Sequence, residues 1–194
     1  MNARLPLLCL LCLAMPGCIV FDRKSESVTF HQFSAPQAAP STQGPLLFIP
    51  RAQLPSALRR PTLVIVDEAG NVRLEDSQRW ATPLDRGISE AIGQHLTKNM
   101  ARPVSFQAPG EPHLVLLIDV EQFALNRQAA VLQLRFRVEN ERGQLLAQGQ
   151  GTWNSPKAEN PADFVRAQSE NLAKAADIIG KVLAPLDTKT GGSR

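Results

Sequence analysis

Three cysteines, three histidines and one spaced pair of carboxylates are the residues here that could do chemistry. Cys9 and Cys12 have the spacing of a redox CxxC. Such a pair needs a folded setting that lowers one thiol's pKa, usually a helix N-terminus beside a strand. Both instead lie inside the apolar run Leu5–Met15, where they read as two small hydrophobes of a segment that is removed. His31, His95 and His113 fall on an expected strand, a helix and a strand start, with no ligand spacing among them. His95 sits beside a helix's apolar stripe and reads as a packed or boundary residue. Asp119 and Glu121 lie two apart on an expected strand and share a face. A wet sheet face explains them more simply than a catalytic pair. Arg135 and Arg137 likewise share a face, suited to lipid phosphates but more simply solvated. GxSxG, HExxH and phosphate-loop patterns are absent from the sequence. The expectation is a protein with no catalytic residues, no metal and no cofactor.

Cys18 differs from the other two cysteines. The chain opens with Arg4, an apolar stretch, Pro16 and Gly17, and then Cys18. A short charged region, about a dozen apolar residues and a small-residue cleavage site describe a secretory leader. The run is shorter than the roughly 20 residues a permanent spanning helix needs. Gly17-Cys18 resembles the lipobox of bacterial lipoproteins, with Met15 where leucine is usual. The resemblance implies a thioether-linked diacylglycerol and an N-acyl group on Cys18, after removal of residues 1–17. Ile19 stands where an aspartate commonly retains a lipoprotein in the inner membrane. The expected location is therefore the periplasmic face of the outer membrane of a Gram-negative bacterium. The acyl chains would supply the contact with outer-membrane lipid.

Removing 17 residues leaves 177 of the 194, enough for one domain with one core. Arg4 goes with the leader, leaving 20 Lys+Arg against 18 Asp+Glu. That balance, with no basic run, gives no argument for a nucleic-acid partner. Tyrosine is absent and aromatics are 5%, which disfavours a stacking surface for sugars or bases.

The expected organisation is a tether over residues 18–27, one domain over 28–187 and a disordered tail over 188–194. Val28–Pro36 and Leu46–Pro50 read as strands. Leu63–Val66 and Val72–Leu74 read as a hairpin around the turn Glu68–Asn71. In the following helix Thr82 is the expected N-cap and Pro83 the first helical residue. Leu84, Ile88, Ile92, Leu96 and Met100 recur at intervals of four and form its apolar stripe. Trp80, just ahead, should plug the sheet–helix junction. His113–Leu125 reads as a long strand. Leu132, Leu134, Phe136 and Val138 alternate with polar residues, and a turn at Asn140–Gly143 leads to a return strand. Gly149 and Gly151 on that strand suggest close packing, most simply by a helix backbone. A last helix is capped by Asn160 and buries Val165, Leu172, Ile179 and Val182. The fold class is α+β, in two layers: a mostly antiparallel sheet with two amphipathic helices on one face.

Leu54–Met100 carries a further resemblance. Leu54-Pro55, Arg60-Pro61, Arg79-Trp80-Ala81 and Pro83-Leu84 resemble the motif residues of the ABC-type transport auxiliary lipoproteins. That group includes the paraquat-inducible lipoprotein PqiC. Relatives often carry a tyrosine on the first strand, where this chain has Phe30 and Phe33. The resemblance implies a lipoprotein serving an MCE-type (mammalian cell entry) lipid transport system. Its partners would be a periplasm-spanning MCE protein and an inner-membrane component, with a homo-oligomer left open. The other function class is an envelope assembly factor that places outer-membrane proteins or lipopolysaccharide.

Overall fold

A computed structural model describes residues 27–190, apart from 38, 40–43, 68, 127–128 and 156–157. Cys9, Cys12, Cys18 and most of the expected tether lie outside the described residues. Among the described residues eight strands and two helices follow one another. They are β1 (Thr29–His31), β2 (Leu46–Phe48), β3 (Thr62–Val66), β4 (Val72–Trp80), α1 (Leu84–Met100), β5 (Val104–Ser105), β6 (His113–Asn126), β7 (Ala129–Asn140), β8 (Leu145–Ser155) and α2 (Pro161–Thr190). A 3-10 turn, Ser56–Leu58, lies between β2 and β3.

The class is α+β, as the sequence predicts, but the strands divide into two sheets. One has the order β1-β4-β3, the other β5-β2-β6-β7-β8. β6, β7 and β8 form an antiparallel meander, as short hairpins require. Their neighbours are less regular. β1 pairs with β4, and β2 with both β5 and β6, all in parallel. Parallel pairing joins segments far apart in sequence, so no local turn signals it. The first strand is only three residues long, against the nine expected. β4 runs to Trp80 rather than stopping at Leu74. Its polar middle, Glu75–Arg79, hides that length, and the register with β3 slips between Thr62 and Leu63. β5 has two residues and no periodicity to read.

The two helices pack side by side over the five-stranded sheet, α2 on β7 and β8 and α1 against α2 and β5. Leu84, Ile88, Ile92 and Leu96 are all buried and join Leu172, Ile179 and Leu183 of α2 in one core. Each such side chain contributes about 1.5–3 kcal/mol on burial. On β7, Leu132, Leu134, Phe136 and Val138 face the core while Arg135 and Arg137 are exposed. Polar anchors fix α2 in place. Gln168 Nε2 donates to the Val131 carbonyl at 3.0 Å, and Asn171 Nδ2 to that of Ala130 at 2.9 Å. Ser155 Oγ donates to Asn171 Oδ1 at 2.9 Å. All three side chains are buried, and burial is tolerable because each finds a partner.

Three local expectations need correction. α1 starts at Leu84 with Pro83 at the N-cap position and no side-chain cap bond, so Thr82 does not cap. α2 continues to Thr190, three residues into the expected tail. The β8 glycines face aromatic rings, not a helix backbone. A Cβ on Gly149 would meet Phe136 at 2.6 Å, and one on Gly151 would meet Trp153 at 2.5 Å.

Candidate functional site

The chain folds so that distant motif residues meet at one corner. Ala52 N–H donates to the Asp85 carbonyl, and Trp80 N–H to that of Pro61. These bonds bring the segment after β2 and the end of β4 against the start of α1. The 3-10 turn closes behind them, with Leu58 buried and Arg59 Nε donating to the Leu54 carbonyl at 3.1 Å. Between these pieces lies a cleft of about 330 Å³. Leu54, Leu58, Trp80 and Leu84 form its floor, Pro61 and Pro83 its walls, and Arg51, Arg59 and Arg60 stand at its mouth together with one acid, Asp85. Six of the nine motif residues read from the sequence thus line one hollow: Leu54, Arg60, Pro61, Trp80, Pro83 and Leu84. Pro55, Arg79 and Ala81 are exposed beside it.

Trp80 closes the cleft from the inside. It is 7% exposed, and its ring centroid lies 5.1 Å from Phe33 and 6.2 Å from Phe123. Phe123 in turn stands edge-on to Phe164 of α2 at 5.4 Å. This aromatic row ties the cleft to the core of both sheets, so the tryptophan does sit at the sheet–helix junction. Aromatic pairs in such geometry add about 0.5–1.5 kcal/mol beyond their burial. An apolar floor with cations at its rim suits an anchor side chain or an amphiphile with a negative group.

The other singled-out residues stay apart. Asp119 and Glu121 share the outer face of β6, and both hold Arg135, at 3.2 and 2.7 Å. Gln133 Nε2 also donates to Glu121. Asp119 and Arg135, with Arg51, Arg137, Gln148 and Gln150, border a polar trough of about 600 Å³. His31 Nε2 lies 2.6 Å from Gln78 Oε1, and His113 Nδ1 lies 2.7 Å from the Glu111 carbonyl. His95 Nε2 is buried without a hydrogen-bond partner among the described residues. Burial pushes this imidazole's pKa down, while Asp177 opposes the shift and Lys98 adds to it.

Sequence reasoning missed Arg51, which lines both the cleft and the trough and reaches Asp85 at 3.6 Å. It also missed why Gly93 is a glycine: a Cβ there would meet the Phe106 ring at 2.7 Å. Among the described residues no helix is long and apolar enough to cross a membrane.

A family model, described as the ABC-type transport auxiliary lipoprotein component, matches residues 30–180. No curated protein matches the sequence closely enough to count as a relative. Among solved structures, the chain is similar to an uncharacterized protein at 17% identity and a TM-score of 0.69. That match covers 80% of this chain and 98% of the other. It is also similar to protein XCC0632 from Xanthomonas campestris, of the DUF330 family, at 14% identity and a TM-score of 0.64. There the cover is 84% and 99%. At these identities the two structures bear on the fold alone.

Proposed function

The chain belongs to the ABC-type transport auxiliary lipoprotein family, and on that premise we propose that it is a non-catalytic, lipid-anchored adaptor of an MCE-type lipid transport system. Cys18, acylated, holds it at the periplasmic face of the outer membrane. The folded domain reaches inward and docks the end of a periplasm-spanning MCE protein, the partner of an inner-membrane component.

The observation that carries this reading is the family match over most of the folded domain, together with the meeting of its motif residues in one apolar, arginine-rimmed cleft. A partner's anchor side chain set in that cleft would be desolvated against Trp80 and Leu84. Its acidic neighbours would face Arg51, Arg59 and Arg60. Buried anchors with a charged rim carry most of the affinity in protein interfaces. A contact of standard size takes about 800 Å² from each partner, which a domain of this size can present.

Affinity purification of the lipidated protein from cell envelopes tests the reading. The expected result is co-purification of an MCE-domain protein, weakened by Arg60→Glu with folding intact. Recovery of outer-membrane-protein or lipopolysaccharide assembly factors in its place would overturn it.

A further inference from the structure

We propose that the outer face of the three-stranded sheet, carrying Val28, Phe30 and Arg79, with Arg60 at its margin beside the cleft, rests on an anionic lipid surface. On the edge strand β1, Phe30 is 64% exposed, and Val28, just ahead of the strand, is 43% exposed. Residues two apart on an extended chain share a face, so these two apolar side chains project together. The register sets Phe30 beside Arg79, and Arg79 beside Thr62. Opposed residues share a face, so one row across the sheet reads aromatic, cation, hydroxyl. Arg60 is exposed two residues ahead of Thr62, and Arg59 stands next to it.

Arg60 and Arg79 differ from most other arginines of the domain, although Arg142 shares their lack of a carboxylate partner among the described residues. Arg51, Arg73, Arg86, Arg135, Arg137 and Arg166 each meet a carboxylate. Arg60 and Arg79 meet none among the described residues. Uncompensated guanidiniums beside an exposed phenyl ring and a valine match the layering of a bilayer surface. The ring reaches the acyl boundary, and the guanidiniums engage lipid phosphates with forked hydrogen bonds. A phosphate layer also supplies the counter-charge that this face lacks. The edge is three residues long, too short to make strand addition by a partner peptide the better fit.

Chain geometry points the same way. Ser27 leads directly into β1, so an anchor at Cys18 would hold this edge within roughly 30 Å of the lipid. That step rests on the anchor proposed above. The surface argument does not, so the experiment removes the anchor.

The mature chain from residue 18 onward, carrying Cys18→Ser, is mixed with phosphatidylglycerol-containing vesicles and, separately, with pure phosphatidylcholine vesicles, and association is read by flotation. Association with the anionic vesicles alone, falling as salt rises, is expected. Arg60→Gln and Arg79→Gln should each weaken it about fivefold, and Phe30→Ser should weaken it further. Arg142→Gln, in the turn after β7, should leave it unchanged. Equal association with both vesicle types overturns the proposal, as do variants that bind like the parent. An unchanged thermal midpoint establishes that each variant is folded. If no vesicle is bound while Arg60→Gln and Arg79→Gln lose capture of the MCE protein, this proposal fails and the adaptor reading stands. If vesicles are bound and no MCE protein is ever captured, the reverse holds.

Discussion

The Phe136 ring lies directly over Gly149, its partner across the β7–β8 ladder, leaving 2.6 Å where a Cβ would stand. Phe136 is 1% exposed although β8 is the sheet's edge. The glycine lets the far end of the ring lie where a Cβ would otherwise stand. Gly149→Ala should therefore force the ring off its position and cost about 1–3 kcal/mol, as overpacking does. Gly110→Ala has open space around it and should stay within about 0.5 kcal/mol. Urea denaturation of the two variants distinguishes them, and equal stabilities would refute the packing role.

The alternation in β7 and the stripe of α1 were legible because one periodic pattern meets one face. The Gly149 contact was not. A run of small residues signals close approach without naming the partner, and a cross-strand ring fills that role as readily as a helix. The motif residues were visible, but their convergence was not. It depends on the parallel β1–β4 and β2–β6 pairings, which leave no local trace. Arg51 had no signal of its own, since its position matters only once the segment after β2 is laid beside α1.

The two helix starts, Thr82-Pro-Leu-Asp and Asn160-Pro-Ala-Asp, read alike yet end differently. Asn160 Oδ1 accepts from the Asp163 N–H at 2.9 Å, and Asn160 Nδ2 donates to the Asp163 carboxylate. Thr82 makes no cap bond, and the last non-helical position falls to Pro83. Asn160→Ala should cost about 0.5–2 kcal/mol, and Thr82→Ala only a few tenths. Chemical denaturation of both variants checks this, and comparable losses would contradict the assignment.

His95 makes stability depend on pH. Burial lowers its folded-state pKa below the ordinary value of about 6.5, so the unfolded chain binds the proton more readily. The contribution is fully present above the unfolded value. It is lost as pH falls from there through the folded one. Asp177 limits the effect and Lys98 enlarges it. Thermal midpoints measured from neutral to mildly acid pH should fall more steeply for the parent than for His95→Gln. Parallel curves for the two would show that His95 titrates alike in both states.

The last prediction separates anchoring from chemistry. Asp119 and Glu121 are spent on Arg135, in a solvated arrangement where each exposed ion pair contributes about 0–1 kcal/mol. Asp119→Asn should thus leave both folding and function intact. On the adaptor proposal, Cys18→Ser should abolish function even though it leaves the domain untouched, because an adaptor held only reversibly at the membrane does not fix a conduit end there. Three acyl chains on Cys18, as proposed, would make detachment negligible at about 0.8 kcal/mol per buried methylene, whereas the contact proposed for the three-stranded sheet is reversible and weakened by salt. Complementation of a deletion strain, scored by envelope-stress sensitivity, reads both variants at once. Rescue by Cys18→Ser that still captures its partner would remove the anchoring mechanism. Loss of rescue by a folded Asp119→Asn would place chemistry on the β6 outer face, with Glu121→Gln the next variant to score.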